Sequence, residues 1–227
     1  MADVPIAEQL NGLLAEAGLP LAGAELAGKL EAYLGVLVRW NARMNLTAVR
    51  DSPGILSRHF LESIACAHRL PAGVGTLLDF GSGAGFPGIP VALCRPEIAV
   101  TLAESQGKKA AFLQEAVRTL GISVVVYSAR AELLQKRFDC VTLRAVDKMP
   151  QAVQAASRLV APGGWVALMT TEGELSHLKL DIDLGLGDFA VYPLCGSEQR
   201  ILALARRGAP GEICAAAAPQ FVPRGTN

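Results

Sequence analysis

The first third of the chain carries hydrophobic residues at helical spacing. Between residues 26 and 40 an apolar side chain recurs every three or four positions, which predicts a helix with one apolar face formed by Leu26, Leu30, Tyr33, Leu34, Leu37 and Trp40. The segment 51–53 (Asp-Ser-Pro) predicts the start of a later helix, because Asp or Ser can cap it and Pro fits its first turn. Pro71 and Gly73 would end this section, so residues 1–72 are predicted to form an N-terminal helical extension packed on the rest.

Residues 73–207 alternate short β-rich runs with helical patterns. The predicted strands are Thr76–Phe80, Ala99–Ala103, Val124–Tyr127, Phe138–Leu143 and Trp165–Met169, followed by a hairpin of Phe189–Leu194 and Gln199–Ala205 at the sheet edge. The predicted helices between them are Gly88–Cys94, Lys108–Leu120 and Gln151–Leu159. This alternation predicts a Rossmann-like α/β fold, a doubly wound and mostly parallel seven-stranded sheet with an antiparallel edge strand. Residues 208–227 are rich in Gly, Ala and Pro and are predicted to form a flexible tail.

The composition is that of a folded protein. Of 227 residues, 51% are hydrophobic and 19% are charged, and the formal net charge is zero. These values exclude a disordered chain, and they exclude a basic protein that coats nucleic acid regardless of sequence. A local basic face remains compatible with them, because the field near a patch depends on the charges closest to it.

The cysteines and the N-terminal sequence indicate the cellular compartment in which the protein works. The five cysteines are odd in number, widely spaced and without a C-x-x-C pair, which is typical of reduced thiols. They make no metal-ligand spacing with the three histidines, so no metal is expected. The N-terminus has no basic segment followed by a long apolar one, and no apolar run approaches a membrane span. We therefore expect a cytoplasmic protein that does not contact the membrane.

The turn after the first predicted strand has the pattern of a ligand-binding site. Gly81, Gly83 and Gly85 stand at every second position, where glycine permits positive φ and lets a ligand approach the backbone. Glu104 ends the next predicted strand, so its carboxylate would lie beside this turn at the carboxyl edge of the sheet. A carboxylate in that place can accept hydrogen bonds from both ribose hydroxyls of an adenosine group.

Three interpretations of this turn are open. The spacing Gly83-x-Gly85-x-x-Gly88 matches the dinucleotide fingerprint, and a glycine turn can also merely pack a helix against a strand. Asp79 lies two residues before the first glycine, where it would repel a diphosphate and attract the cationic amine of S-adenosylmethionine. The residues therefore favour S-adenosylmethionine as the cofactor.

A series of motifs in chain order resembles one family, RsmG, formerly GidB. The motifs, in one-letter code, are RWNxxMNLT from Arg39, RHFLES from Arg58, the turn Asp79–Pro90, KKxxFL from Lys108, ARAE from Ala129, FD from Phe138 and RA from Arg144. The resemblance implies a bacterial class I methyltransferase that transfers a methyl group from S-adenosyl-L-methionine to N7 of guanine 527 in the 530 loop of 16S rRNA. It implies the small ribosomal subunit as the partner, with no DNA, and we expect a monomer.

The resemblance also implies site residues. The cofactor residues that it implies are Gly81, Phe86, Ala131, Glu132 and Arg144, which join Asp79, Gly83 and Glu104 from the reasoning above. Two departures from the family pattern stand out. Glu62 occupies a position where the family commonly has Asp, and residues 169–171 (Met-Thr-Thr) replace a frequent Lys-Gly, which puts a substrate-side lysine there in doubt.

No catalytic residue is predicted. Guanine N7 has an in-plane lone pair and no proton, so it can attack the sulfonium methyl directly and in line, without a general base. Residues 143–146 (Leu-Arg-Ala-Val) stand where amino-group methyltransferases usually carry Asn/Asp-Pro-Pro-aromatic. Cys140 lies inside a strand pattern, which favours packing over the nucleophilic role that cytosine C5 chemistry needs.

RNA would be held by local positive charge. The candidates for RNA contact are Arg43, Arg50, Arg58, His59, Lys108 and Lys109, with Arg39 and Arg144 as further cations. His59 is equally compatible with a structural, hydrogen-bonded role, and Tyr33 and Trp40 fit core packing better than base stacking. A small-molecule methyltransferase, a non-catalytic RNA-binding protein and a dehydrogenase remain as alternative functions.

Overall fold

The computed structural model describes residues 4–146, 148–181, 185–195 and 199–208. The tail predicted for residues 208–227 therefore lies outside the described residues except for Gly208, and so does Cys214.

The N-terminal section is helical, as predicted. It consists of α1 (Ile6–Glu16), α2 (Ala24–Asn41), α3 (Ser52–Ile55), a π-helical segment (Leu56–Leu61) and α4 (Glu62–Arg69). The predicted start at residue 51 is confirmed, because the Asp51 carboxylate accepts a hydrogen bond from the Gly54 amide at 2.7 Å. The predicted apolar face of α2 is confirmed as well: Leu30, Tyr33, Leu34 and Leu37 are buried.

The remainder forms a seven-stranded sheet with helices on both faces, which confirms the predicted fold class. The strands are β1 (Thr76–Phe80), β2 (Ala99–Ala103), β3 (Val125–Tyr127), β4 (Phe138–Arg144), β5 (Val160–Thr171), β6 (Ala190–Pro193) and β7 (Arg200–Arg206). The helices are α5 (Gly88–Cys94), α6 (Gly107–Leu120), α7 (Met149–Leu159) and α8 (Glu172–Asp181), with a short 3₁₀ turn at Ala131–Leu133. Helix α8 and the first five residues of β5 are absent from the sequence-based prediction.

The strand order is β3-β2-β1-β4-β5-β7-β6. Strands β1 to β5 pair in parallel, while β7 is antiparallel to both β5 and β6, so the predicted hairpin closes this end of the sheet. The chain runs outward from β1 to β3 and then returns to place β4 on the other side of β1. This reversal is the switch point at which the carboxyl ends of parallel strands leave room for a ligand.

Two apolar cores cover the two faces of the sheet. Alternate strand residues face opposite sides, so Leu77 and Cys140 join the core under α2, α4 and α6, whereas Leu78 and Val141 join the core under α7 and α8. Cys140 is fully buried, which confirms its predicted packing role.

The two aromatic residues of the α2 stripe take part in core packing, as predicted, Tyr33 inside the core and Trp40 half-buried against it. Tyr33 is fully buried, and Trp40 meets Phe112 edge-on at 5.8 Å between ring centroids. Over the described ranges, no helix has the length and apolar character that a membrane span requires. The described residues also hold no group of three or more His, Cys, Asp or Glu side chains that could bind a metal ion.

Candidate active site

A cavity of about 800 Å³ opens at the carboxyl ends of β1 to β5, at the switch point. One side is formed by the turn after β1 and by residues that follow β2 and β3. The other side is formed by residues after β4 and β5 together with loop and helix residues of the N-terminal section.

Most of the sequence-predicted residues meet in this cavity. Those that line it are Gly81, Gly83, Phe86, Glu104, Ala131, Glu132 and Arg144 from the cofactor set, and Arg58, His59 and Lys109 from the RNA set. The predicted residues outside its lining are Asp79, Arg43, Arg50 and Lys108.

The glycine turn has the backbone that the sequence predicts. Gly81, Gly83 and Gly85 have φ of 71°, 56° and 87°, the left-handed region that favours glycine. The nearest non-neighbouring atom to a Cβ on Gly83 would be the Gly81 carbonyl oxygen at 3.8 Å, an ordinary contact distance, so a Cβ would fit there without a clash. A Cβ on Gly88 would come within 2.7 Å of Asp79 Oδ2, so Gly88 lets the turn fold tightly onto the end of β1.

Glu104 joins the glycine turn to the end of β2. Its Oε2 accepts a hydrogen bond from the Gly83 amide at 3.0 Å, and its Oε1 accepts one from the Gln106 amide at 2.7 Å. Because each carboxylate oxygen has two lone pairs, both oxygens keep the capacity to accept one bond from a ligand in the cavity. The position predicted for ribose recognition is therefore compatible with that role.

Asp79 does not meet the cavity, contrary to the expectation that its carboxylate faces the ligand amine. The side chain is fully buried below the turn, where Oδ2 accepts from the Gly88 amide at 3.2 Å and Oδ1 accepts from Thr142 Oγ1 at 2.8 Å. Burial raises the pKa of this carboxyl to about 6, although the hydrogen bonds from Thr142 and Gly88 oppose the rise. The sequence pattern places Asp79 at the strand end but does not show that its side chain turns inward to support the loop.

The buried carboxyl makes stability depend on pH. Its folded-state pKa of about 6 lies above the ordinary 3.8, so the folded protein holds a proton that the unfolded chain releases between these values. This contribution to stability is present below pH 4 and is lost as pH rises through 6, by on the order of 2–3 kcal/mol. We expect Asp79→Asn to flatten the stability curve between pH 4 and 7, measured by urea unfolding of both proteins. Parallel curves for the two proteins would contradict the assignment.

An aromatic cluster connects the turn to the N-terminal helices. The Phe86 ring lies 5.2 Å from Tyr33, 5.3 Å from Phe60 and 5.1 Å from His59 between centroids, and it stacks on the His59 ring. The Tyr33 hydroxyl donates a hydrogen bond to the Ala84 carbonyl oxygen within the turn. The helical section therefore holds one wall of the cavity in place.

Glu62 organises the charged end of the cavity. This fully buried carboxylate pairs with the Arg144 guanidinium at 2.9 Å and with Arg200. Arg144 also donates to the Arg58 carbonyl oxygen at 2.6 Å, and its guanidinium lies 5.9 Å from the Phe86 ring centroid. In the sequence Glu62 stands out only as a departure from the family pattern, and nothing near Arg200 marks it as a site residue, because the two meet across more than 130 residues of chain.

His59 is neutral at physiological pH, which limits its predicted role as a cation for RNA. Burial and the nearby Arg144 and Arg58 lower its pKa to about 3. Its Nε2 lies 2.6 Å from Thr47 Oγ1, so the ring is held as a hydrogen-bonded structural group, the alternative that the sequence left open.

The remaining predicted cations differ in position. Arg43, Arg50 and Lys108 are exposed beyond the cavity, and Arg50 donates to the Asn41 carbonyl oxygen at 3.1 Å. Three further cations line the cavity and were missed: Arg130, Lys148 and Arg200. Arg130 and Lys148 could have been found, because both follow predicted strands at the carboxyl edge of the sheet.

Solved structures place this architecture in one class. A methyltransferase from Pyrococcus furiosus matches with a TM-score of 0.56 and 16% identity over 80% of this chain and 99% of that one. A SAM dependent methyltransferase from Aquifex aeolicus matches with a TM-score of 0.55 and 18% identity over 69% and 94%. The fold is therefore that of Rossmann-like, S-adenosylmethionine-dependent methyltransferases.

The sequence narrows the class to a family. The family model of rRNA small subunit methyltransferase G, GidB, matches residues 27–184. The ribosomal RNA small subunit methyltransferase G of Xanthomonas campestris pv. campestris strain 8004 is 42% identical over 173 residues, 75% of this chain and 78% of that protein. The chain belongs to the rRNA small subunit methyltransferase G family. Fold and family together confirm the expectations of an rRNA methyltransferase and of S-adenosylmethionine as its cofactor.

Proposed function

We propose that this protein transfers a methyl group from S-adenosylmethionine to N7 of guanine 527 in the 530 loop of 16S rRNA, within the small ribosomal subunit. The observation that carries the proposal is the left-handed glycine turn joined to the Glu104 carboxylate at the switch point of the sheet. The naming of the nucleotide rests on family membership, and the geometry of the cavity is compatible with it.

The cofactor half of the cavity is proposed to lie between β1, β2 and β3. Gly81 and Gly83 leave the backbone open to the ligand, Glu104 accepts from the ribose hydroxyls, and Ala131 and Glu132 flank the adenine ring. Phe86 and Arg144 line the cavity toward β4, where the methionine end of the ligand would lie. Asp79 contributes from below by holding the turn, since its oxygens bind Gly88 and Thr142.

The proposed chemistry needs positioning and no proton transfer. Bound S-adenosylmethionine supplies a methyl group on a sulfonium, and guanine N7 offers a lone pair that bears no proton. His59 is held neutral by burial, which suits a wall that orients the reactants without exchanging protons. Cys140 is buried in β4 and its pKa is raised well above its ordinary value, so it does not supply a thiolate nucleophile. Catalysis is then a matter of holding N7 in line with the methyl group.

The rRNA is proposed to bind across the cavity mouth. Arg58, Lys109, Arg130 and Lys148 line the cavity, and Arg43, Arg50 and Lys108 lie exposed beyond it. Cations at these places can neutralise RNA phosphates on both sides of an inserted base, with binding that weakens as salt rises. A single chain supplies all of these residues, and we propose that the protein acts as a monomer.

Labelled methyl transfer tests the proposal. Small ribosomal subunits from a strain that lacks this methylation are incubated with the protein and methyl-labelled S-adenosylmethionine. We expect incorporation into 16S rRNA, with chemical cleavage at 7-methylguanine mapping to nucleotide 527. Subunits from a methylating strain serve as the control and should accept no label. Label in a small metabolite instead would support a small-molecule methyltransferase, and the absence of label from every acceptor would support a non-catalytic RNA-binding protein.

A further inference from the structure

The end of the cavity near β5 contains one acidic side chain among several cations. Within the described residues that line this end, the basic ones are Arg58, Arg144, Lys148 and Arg200, and the acidic one is Glu174. The other lining carboxylates, Glu104 and Glu132, follow β2 and β3 at the opposite end. The carboxyl ends of β2 and β5 are three strand spacings apart, about 14 Å. At this distance the glutamates after β2 and β3 can face the cofactor while Glu174 faces the substrate.

The Glu174 carboxylate is held in a fixed orientation. It belongs to the first turn of α8, where Oε2 accepts from Thr170 Oγ1 at 2.6 Å and from the Thr171 amide at 3.3 Å. In return Thr171 Oγ1 accepts from the Glu174 amide at 3.2 Å, which completes a capping box. The cap employs one carboxylate oxygen only, and Oε1 takes no part in these bonds.

Guanine has hydrogen-bond donors that this second carboxylate oxygen, Oε1, could accept. When N7 faces the methyl donor, the N1–H and 2-amino donors lie on the opposite side of the base. A wall across the cavity from the cofactor must then supply an acceptor, or these donors lose their hydrogen bonds when the base leaves water. Glu174 lies on that side of the cavity. Among the described lining residues at this end it is the acceptor that carries a negative charge, whereas the cations only donate.

We propose that Glu174 Oε1 accepts hydrogen bonds from the 2-amino group and N1–H of the target guanine and so selects guanine as the base that is methylated. The proposal rests on the proposed function and adds a substrate-recognition residue to it. Oε2 keeps the start of α8 in place, while Oε1 reads the base.

The test compares guanine with hypoxanthine, which lacks only the 2-amino group and keeps N7 and N1–H. Small subunits are reconstituted with 16S rRNA, joined by ligation, that carries either base at the target nucleotide. For the native protein we expect kcat/KM to be about 10-fold higher with guanine, the effect of one charge-assisted hydrogen bond to the base. In Glu174→Gln the amide oxygen stays in the cap, so the NH₂ group faces the base donors. We expect the guanine preference to fall to about one.

Glu172→Gln is the matched control. Glu172 lies in the same helical turn and is exposed, and it does not line the cavity, so this variant should keep the native guanine preference. Calorimetric binding of S-adenosylmethionine by all three proteins should be equal, which shows that the variants are folded. An unchanged 10-fold preference in Glu174→Gln would overturn the proposal and leave Glu174 as a cap only, and so would a native protein without preference. Failure of the native protein to methylate either base would instead contradict the proposed function.

Discussion

Glu62→Ala is expected to lower the free energy of unfolding by about 3–5 kcal/mol and to abolish methyl transfer. Glu62 is fully buried and is the shared partner of Arg144 and Arg200, whose side chains are 12% and 19% exposed. Its removal leaves two guanidinium groups close together in a poorly solvated place without their counter-charge. Their repulsion would move Arg144 away from Phe86 and Arg58, and the cavity wall after β4 would lose its shape.

Two variants separate this effect from an ordinary loss of an ion pair. Glu115 pairs with Arg39 at 4.0 Å on the surface, so Glu115→Ala should cost less than about 1 kcal/mol. Glu62→Asp keeps the charge but shortens the reach to two arginines, so it should fall between native and Glu62→Ala in both stability and rate. Urea unfolding and labelled methyl transfer measure the two quantities. A Glu62→Ala protein within 1 kcal/mol of the native one would contradict the role of Glu62 as the shared counter-charge.

Much of the fold is readable from the sequence because local patterns determine it. The strands β1 and β2 and the helix α5 have the predicted bounds, since each is a short apolar run between clear turn residues. Helix α8 was missed because the sequence marks its apolar side only by a short i, i+3 pair, Leu175 and Leu178. Its start depends on the capping box at Thr171 and Glu174. The start of β5 was missed because Pro162, Gly163 and Gly164 are residues typical of a loop. In the folded protein they belong to the strand.

The position of the site could be predicted from the sequence, but the orientation, protonation state and pairing of its ionisable side chains could not. The glycine turn and Glu104 follow from the order of elements, because consecutive parallel strands bring their carboxyl ends to one edge. The inward direction of Asp79, the neutral state of His59 and the pairing of Arg200 with Glu62 all depend on contacts across the folded chain. No local pattern carries that information, so these features required the structure.

Gly83→Asp is expected to weaken S-adenosylmethionine binding about 100-fold or more while leaving the protein folded. Gly83 has φ of 56°, and its amide donates to Glu104 Oε2 at 3.0 Å. The position of a Cβ is open, so an aspartate would fit sterically, but its carboxylate would lie beside Glu104. Two neighbouring carboxylates repel each other, and the added one also occupies space proposed for the ribose. The left-handed backbone costs about 1 kcal/mol for aspartate, too little to unfold a domain.

Two further variants show whether the effect of Gly83→Asp comes from the added charge and from its position in the glycine turn. Gly83→Ala has the same backbone strain without the carboxylate, so it should weaken binding far less than Gly83→Asp. Gly121→Asp introduces the same residue at φ of 59° in open space at the end of α6, outside the cavity lining, and should bind S-adenosylmethionine normally. Calorimetric titration of S-adenosylmethionine and of S-adenosylhomocysteine into each variant provides the affinities. Since both ligands share the adenosine group, they should weaken in parallel if the lost contact is to the ribose. Native affinity and native methylation in Gly83→Asp would place the cofactor elsewhere than on the glycine turn.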